Sequence, residues 1–189
     1  MNTDTYSIPQ LVNDLKNACA QATDEREIIS AVRPLAQRAA LSKANWLQDR
    51  MYGAQADPGF GVYLLHEEPD HSLAILAVSW YPHRGAPPHD HGTWAVVAGV
   101  DGAERNEFFE RTDDRSRPGH AELRKVGEKV FKAGDVVAMP KGVIHSVSNE
   151  TDVTTVSLHI YGKHVNYTSR SQYDLQRKTE LPFIVNVQE

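Results

Sequence analysis

Gly85-Ala-Pro-Pro-His89-Asp-His91-Gly-Thr-Trp94 is the stretch of the sequence that says most about the fold. Two histidines at this spacing share one face of a β-strand, whereas on a helix their side chains would diverge by about 200°. The spacing therefore favours a strand that presents His89 and His91 together. A third histidine, His145, follows far downstream at the end of the segment that starts at Gly134.

Three imidazoles without a thiolate partner predict a metal centre. Such a ligand set suits Fe, Zn, Cu or Ni, and the coordination positions that it leaves open suit catalysis better than a closed structural site. Cys19 is the only cysteine, so the chain can form neither an internal disulfide nor a cysteine-based metal cluster. The sequence therefore makes His89, His91 and His145 the candidate ligands of one metal ion.

Length and composition predict an ordinary globular protein. A chain of 189 residues with 40% hydrophobic content fits a single domain over residues 1–189. The formal charge of −5 and the absence of a basic run argue against nucleic acid or an anionic membrane as a partner. The first residues resemble no signal peptide, and no apolar stretch approaches the roughly 20 residues of a membrane span. We therefore expect a cytosolic protein.

The first 50 residues predict a helical leader packed on the rest of the chain. Ser7 followed by Pro9 is a typical helix start, and apolar residues recur behind it at helical spacing. Asp24 with Glu27 three residues later fits a second helix start. The predicted leader therefore holds two consecutive amphipathic helices.

From residue 59 to 189 the pattern changes to short β-branched runs separated by Gly, Pro, Asp and Asn, which is typical of antiparallel strands. This predicts a mainly β fold, a sandwich or small jelly-roll barrel with an N-terminal helical segment. Asp101-Gly102 is typical of a hairpin turn between two of the strands. The predicted strands are 61–66, 72–80, 93–100, 104–110, 122–126, 135–139, 144–148 and 153–161.

The last predicted strand alternates strictly between polar and apolar residues. Ser157, His159 and Tyr161 share one face, and Val156, Leu158 and Ile160 share the other. One interpretation is an edge strand with its polar face in water. The composition favours the other interpretation, because a Ser, a His and a Tyr form a chain of donors and acceptors that satisfies its own polar groups inside a barrel.

These motifs together resemble the thiol dioxygenases of the cupin superfamily, the cysteine dioxygenase group, over residues 60–175. The resemblance lies in His-x-His, a distant His after a Gly-Asp strand, and Ser-x-His-x-Tyr. It implies a cupin jelly-roll barrel and O2-dependent oxidation of a small thiol to its sulfinic acid. It also implies one Fe(II) per chain on His89, His91 and His145, beside an outer catalytic relay of Ser157, His159 and Tyr161.

The chain departs from that family at the metal and at the tyrosine. No glutamate follows His-x-His, where many cupins have a fourth ligand, so the metal would keep its full positive charge and favour an anionic ligand such as a thiolate. Mammalian cysteine dioxygenases carry a cysteine cross-linked to the tyrosine, and Ala95 takes its place here. We therefore expect Tyr161 to be a free phenol.

Substrate recognition departs as well. The cysteine enzymes have an arginine two residues after a strand tyrosine, where this chain has Leu65 after Tyr63. The chain is more similar to the bacterial enzymes that oxidise 3-mercaptopropionate. These enzymes use an arginine downstream of the tyrosine, and Arg170 of this chain matches it in position. A guanidinium suits a carboxylate bidentately. The alternative is a surface arginine paired with Asp174 or Glu180.

Several functional alternatives remain open at the level of sequence. Within the same family, L-cysteine or mercaptosuccinate could be the substrate in place of 3-mercaptopropionate. A cupin enzyme of another class, using Zn, Ni or Mn, would share the histidines, and so would a non-enzymatic cupin that binds a small acid. His83 is a candidate for the cavity entrance, and Trp94 lies either in the cavity wall or in the core.

Overall fold

The computed structural model describes residues 5–53 and 59–189. It begins with helices α1 (Ile8–Gln21) and α2 (Glu25–Leu41). Eleven strands follow: β1 (Phe60–Glu67), β2 (Ala74–Trp80), β3 (Gly85–His89), β4 (Ala95–Asp101), β5 (Ala103–Arg111), β6 (Leu123–Lys132), β7 (Val136–Met139), β8 (Ile144–Ser148), β9 (Thr155–Tyr161), β10 (Ser171–Asp174) and β11 (Thr179–Pro182).

Both helices begin where the sequence predicts. Ser7 caps α1 in a reciprocal capping box with Gln10, and the Asp24 carboxylate accepts from the Glu27 amide at the start of α2. Pro34 does not end α2, which continues to Leu41. The apolar stripes of the two helices pack in one cluster with residues of β4 and β9, so the helices cover the outer face of one sheet.

The strands form two sheets. One has five strands in the order β1-β2-β9-β4-β7, and the other has six in the order β11-β10-β3-β8-β5-β6. Every pairing between these strands is antiparallel. From β2 to β5 and again from β6 to β9, each connection crosses from one sheet to the other. This is a jelly roll, the double-stranded β-helix, so the predicted mainly β fold with an N-terminal helical segment is confirmed.

The prediction of a hairpin at Asp101-Gly102 is wrong. β4 lies in the five-stranded sheet and β5 in the six-stranded sheet, so the chain turns a corner between sheets here. Gly102 has a φ of +75°, and a Cβ at this position would lie 2.5 Å from Thr155 Cγ2. The sequence signal for a tight turn was correct, but such a turn does not specify whether the next strand pairs with the previous one.

The sequence gives no signal for β10 and β11, and it predicts β3 only through the spacing of His89 and His91, without bounds. β3 contains Pro87 and Pro88, which cannot donate to a ladder, and its register with β8 shifts between Ala86 and His89. β10 and β11 form a hairpin that extends the six-stranded sheet beyond β3. Together they place the carboxyl-terminal part of the chain against the strand that carries His89.

The apolar interior between the two sheets is lined by residues from both of them and from the carboxyl-terminal segment, including Val78, Val97, Val147 and Phe183. None of the helices within residues 5–53 and 59–189 is both long and apolar enough to span a membrane.

Candidate metal centre

The three histidines predicted as ligands lie together inside the barrel. His89 is the last residue of β3 and is the register partner of His145 on β8. His91 lies just past the end of β3 rather than on the strand, so the predicted strand presents only one of the pair. The turn that follows is closed by Asp90, whose carboxylate accepts from the Gly92 amide at 2.8 Å. This turn brings His91 Nε2 to 3.3 Å from His145 Nε2.

The imidazoles are held in an orientation that suits metal binding. Their candidate ligand atoms lie within 4.8 Å of one another, and all three side chains are buried. His145 Nδ1 donates to Asn106 Oδ1 and His89 Nδ1 donates to the Pro87 carbonyl, each at 2.8 Å. Because both partners are acceptors, the protons sit on Nδ1 and the Nε2 lone pairs are left for a metal.

Burial keeps these imidazoles neutral. It lowers the pKa of His89 to about 4 and holds the pKa values of His91 and His145 well below the ordinary range, with the neighbouring histidines adding to the shift for the latter two. Neutral imidazole is the form that binds metal. No carboxylate joins this group among the described residues. The three nitrogens therefore fit a divalent transition-metal ion and add no charge to it.

Ser157, His159 and Tyr161 form a continuous hydrogen-bonded relay. Ser157 Oγ lies 2.9 Å from His159 Nε2, and His159 Nδ1 lies 2.7 Å from the Tyr161 hydroxyl. Their strand, β9, is the central strand of the five-stranded sheet, and all of its residues are buried. The alternative of a solvent-facing edge strand is therefore wrong.

The relay is uncharged. Burial, reinforced by electrostatic interaction with the Arg170 guanidinium and with His89 when it is protonated, lowers the pKa of His159 to about 3. Burial also raises the pKa of Tyr161 above the ordinary phenol range. At neutral pH the structure thus holds a neutral imidazole bonded to a protonated phenol, whose ring centroid is 5.2 Å from that of His91.

Arg170 is buried, with 5% of its surface exposed. Its Nε donates to the Phe183 carbonyl at 2.8 Å, and its guanidinium carbon lies 4.3 Å from the centroid of the Phe183 ring. Its Nη2 is buried without a hydrogen-bond partner. Asp174 and Glu180 bind other arginines instead. Arg170 therefore forms no surface ion pair with Asp174 or Glu180.

One narrow cavity joins these groups. It contains about 30 Å³ in which the centre of a water molecule fits, and most of its wall is apolar. Polar side chains reach it from His89, His145, His159, Tyr161 and Arg170. The cavity therefore offers a metal-binding face, a phenol and an unpaired guanidinium within an apolar enclosure.

The structure shows what surrounds Ala95 and Leu65, the two positions at which the sequence departs from the cysteine dioxygenases. Ala95 on β4 is the register partner of Tyr161 on β9, so no thiol stands beside the phenol. Leu65 packs with the cluster under the helices, whereas Val62 of the same strand lines the cavity. A side chain at position 65 therefore points away from the candidate site.

Two inward-facing residues of β5 were missed. Asn106 orients His145, and Glu104 accepts from Ser157 at 3.0 Å. The only sequence signal for them is the alternation along β5, which an exposed strand would share. Phe183 was also missed because no strand was predicted near it. His83 lies outside the cavity, exposed and bonded to Asp152, and Trp94 is a core residue.

No family model matches the chain. Several solved structures are similar to it over part of its length. A recombinant oxalate oxidase in complex with glycolate has a TM-score of 0.47 and 17% identity, and the match covers 62% of this chain and 59% of that protein. An uncharacterized conserved protein with a double-stranded β-helix domain from Klebsiella pneumoniae has a TM-score of 0.45 and 10% identity, over 65% and 91% of the two chains.

A cupin superfamily protein from Desulfitobacterium hafniense has a TM-score of 0.40 and 15% identity, over 54% of this chain and 75% of that one. The match to the oxalate oxidase spans less than two thirds of that enzyme's length. These likenesses concern the fold and not the reaction. The order of its strands in the two sheets and the burial of His89, His91 and His145 make this chain a jelly-roll protein with a three-histidine group inside its barrel.

Proposed function

We propose that this protein is a thiol dioxygenase that uses Fe(II) and O2 to convert a small thiol carboxylate, with 3-mercaptopropionate preferred, into its sulfinic acid. The observation that supports this most is the Arg170 side chain. Its Nη2 is buried, lacks a partner, and belongs to a group that lines the same cavity as His89, His145 and Tyr161.

Arg170 would bind the carboxylate of the substrate. A buried N–H donor without an acceptor is costly, and a carboxylate oxygen supplies that acceptor in a charge-assisted hydrogen bond. Burial lowers the pKa of Arg170, but an arginine side chain remains charged at neutral pH. The Phe183 carbonyl and ring hold the guanidinium in place, so the carboxylate end of the substrate has a fixed position.

His89, His91 and His145 would hold the iron through their Nε2 atoms. Fe(II) at this position would supply the redox chemistry with O2 and a positive charge that would favour a substrate thiolate over a thiol. The chain contributes neutral ligands, kept neutral by burial and oriented by Asn106 and the Pro87 carbonyl. It also contributes the apolar wall, which excludes bulk water from the reacting sulfur.

Tyr161 would hydrogen-bond the substrate or O2 at the cavity, while His159 and Ser157 hold the phenol in position. In the overall reaction the thiol gives up its S–H proton, which ends on a sulfinate oxygen or is released to solvent, and both atoms of O2 become bonded to sulfur. The sulfur supplies all the electrons that reduce O2, so no external reductant is needed.

The experiment that tests this proposal is oxygen uptake by Fe(II)-loaded protein with 3-mercaptopropionate, L-cysteine, mercaptosuccinate and cysteamine at equal concentration. We expect uptake matched by sulfinate, fastest with 3-mercaptopropionate and slowest with cysteamine, which lacks a carboxylate. Faster uptake with L-cysteine or mercaptosuccinate would make that thiol the preferred substrate in place of 3-mercaptopropionate. No uptake with any thiol, from protein shown to hold one iron per chain, would exclude the proposal and leave another cupin enzyme or a binding protein.

A further inference from the structure

Glu104 is a buried carboxyl group that the mechanism above does not use. It lies on β5, is 6% exposed, and is not part of the cavity wall. Its Oε2 accepts from Ser157 Oγ at 3.0 Å, and its Oε1 accepts from Thr155 Oγ1 at 3.3 Å. The carboxyl group is therefore the far end of a hydrogen-bond chain that runs through Ser157 and His159 to Tyr161.

The charge of Glu104 fixes the direction of donation along this chain. An ionised carboxylate can only accept, so Ser157 must give its proton to Glu104. Ser157 Oγ is then left as an acceptor for Nε2–H of neutral His159, 2.9 Å away. His159 Nδ1 in turn accepts the proton of the Tyr161 hydroxyl, 2.7 Å away. In this state Tyr161 offers only oxygen lone pairs to the cavity.

Protonation of Glu104 permits the opposite order. The protonated carboxyl donates to Ser157, and Ser157 donates to Nε2 of His159. The proton of His159 then sits on Nδ1 and points at the oxygen of Tyr161. The Tyr161 hydroxyl then keeps its proton but no longer donates it to His159, so it can donate into the cavity. The two orders use the same positions of the heavy atoms and differ only in where the protons lie.

We propose that Glu104 is a positioning residue that sets the tautomer of His159 through Ser157 and so decides whether Tyr161 donates into the cavity or accepts from it. The relay described above thus has a fourth member on the opposite sheet. The hydrogen-bond order is independent of any reaction, whereas its effect on turnover rests on the proposed function.

The surroundings of Glu104 contain no second charge. Across residues 5–53 and 59–189, no charged side chain shifts the pKa of Glu104, which burial raises to about 7 while hydrogen bonds from Ser157 and Thr155, together with the Trp80 indole, oppose that shift. Arg105, the next residue of β5, pairs with Glu128 and Glu150. Both charge states of Glu104 are therefore accessible near neutral pH.

The remaining described neighbours of Glu104 come from β2, β6 and β9, and apart from His159 beyond Ser157 none of them titrates. Phe131 on β6 is its register partner, and Trp80 on β2 is the register partner of Thr155. On β9, Thr155 and Ser157 donate to the carboxylate, and Ser157 is the link to the relay.

The test is nitrogen-15 NMR of the histidine rings in Zn(II)-loaded full-length protein, with the His159 signals assigned by their loss in His159→Asn. We expect the Nε2–H tautomer above the Glu104 pKa and growth of the Nδ1–H tautomer below it. Glu104→Gln should abolish this pH dependence, and Ser157→Ala should uncouple His159 from it. Thr155→Val, which removes the other hydrogen bond to the carboxylate, should keep the change and move its midpoint to higher pH.

A His159 tautomer that is the same at every pH, or that still changes in Glu104→Gln, would overturn the inference. Measuring the activity of Fe(II)-loaded protein distinguishes failure of the role inferred for Glu104 from failure of the proposed function. Thiol oxidation with an unresponsive tautomer would retain the proposed function and remove Glu104 from it. A responsive tautomer without thiol oxidation would retain the role of Glu104 and exclude the proposed function.

Discussion

Asn106 Oδ1 lies 2.8 Å from His145 Nδ1, and this buried contact on β5 orients one of the three candidate metal ligands. Such partners typically account for 10- to 100-fold in metal affinity. We predict that Asn106→Ala weakens Zn(II) binding by about that factor, measured by competition with a chelator. Asn106→Asp keeps an acceptor at the same place and should bind far better than the alanine variant. Equal affinity of Asn106→Ala and wild type would remove the contact from the site.

Gly85 allows β3 to approach β8 closely enough to align His89 with His145. A Cβ at this position would lie 1.9 Å from the Val147 carbonyl oxygen. Gly85→Ala should therefore separate the two strands and destabilise the protein by about 1–3 kcal/mol, with weaker metal binding. Gly127→Ala on β6 is the matched control, because a Cβ there meets nothing within 4 Å. Urea denaturation of both variants checks the prediction, which fails if they behave alike.

Arg170→Ala should impair thiols that carry a carboxylate more than those that do not. Hydrogen bonds to a charged group contribute about 1.5–3 kcal/mol, so kcat/KM for 3-mercaptopropionate should fall about 10- to 100-fold relative to that for cysteamine. Arg177→Ala is the control, because Arg177 is exposed and pairs with Asp174. An unchanged ratio in Arg170→Ala would place the substrate carboxylate elsewhere.

His159→Asn should lower turnover and leave the iron content unchanged, since His159 contacts Ser157 and Tyr161 and is not in the ligand group. Loss of a group that orients a reacting hydroxyl typically costs about 10²-fold or more. Measuring the iron content and the turnover rate of His159→Asn on the same preparation checks this prediction. Loss of iron along with activity would make His159 a ligand and contradict the assignment.

Glu104 should also make stability depend on pH. Its pKa is raised from the ordinary 4.5 to about 7, so the folded protein keeps a proton that the unfolded chain releases, and stability is lost as the pH rises through that range. The buried histidines have lowered pKa values and act in the opposite direction. The prediction therefore concerns the difference between wild type and Glu104→Gln, in which the carboxyl no longer titrates.

Relative to Glu104→Gln, metal-free wild type should lose roughly 3 kcal/mol of unfolding free energy between about pH 5 and about pH 8. Glu128→Gln, at an exposed position on β6, serves as the control and should follow wild type across this window. The measurement is urea denaturation at both pH values. Parallel pH profiles for wild type and Glu104→Gln would show that the carboxyl does not titrate as its burial implies.

The parts of the site that the sequence predicts are those with a local pattern. His89 and His91 are marked by their spacing, and the alternation around His159 places Ser157 and Tyr161 on its face. The register that aligns His145 with His89 is a long-range relation between two strands, one of which contains two prolines and is predicted only by the spacing of His89 and His91. The metal ligands are therefore predicted from the sequence, whereas the pairing of the strands that carry them is not.

The other residues of the site have no such pattern. Glu104 and Asn106 alternate with charged residues on β5, which is also what a half-exposed strand would show. The direction of Arg170 depends on the contact with Phe183, and the sequence does not encode that contact locally. Asp101-Gly102 gives the same turn signal whether the chain forms a hairpin or crosses between sheets, so this prediction failed for lack of tertiary information.

The measurement that tests the central claim most directly is oxidation of 3-mercaptopropionate by Fe(II)-loaded protein under isotopically labelled O2, with mass spectrometry of the product. We predict a sulfinic acid in which both oxygen atoms come from labelled O2. A disulfide product, a sulfinate labelled at one oxygen atom, or unchanged thiol beside protein that holds iron would contradict it.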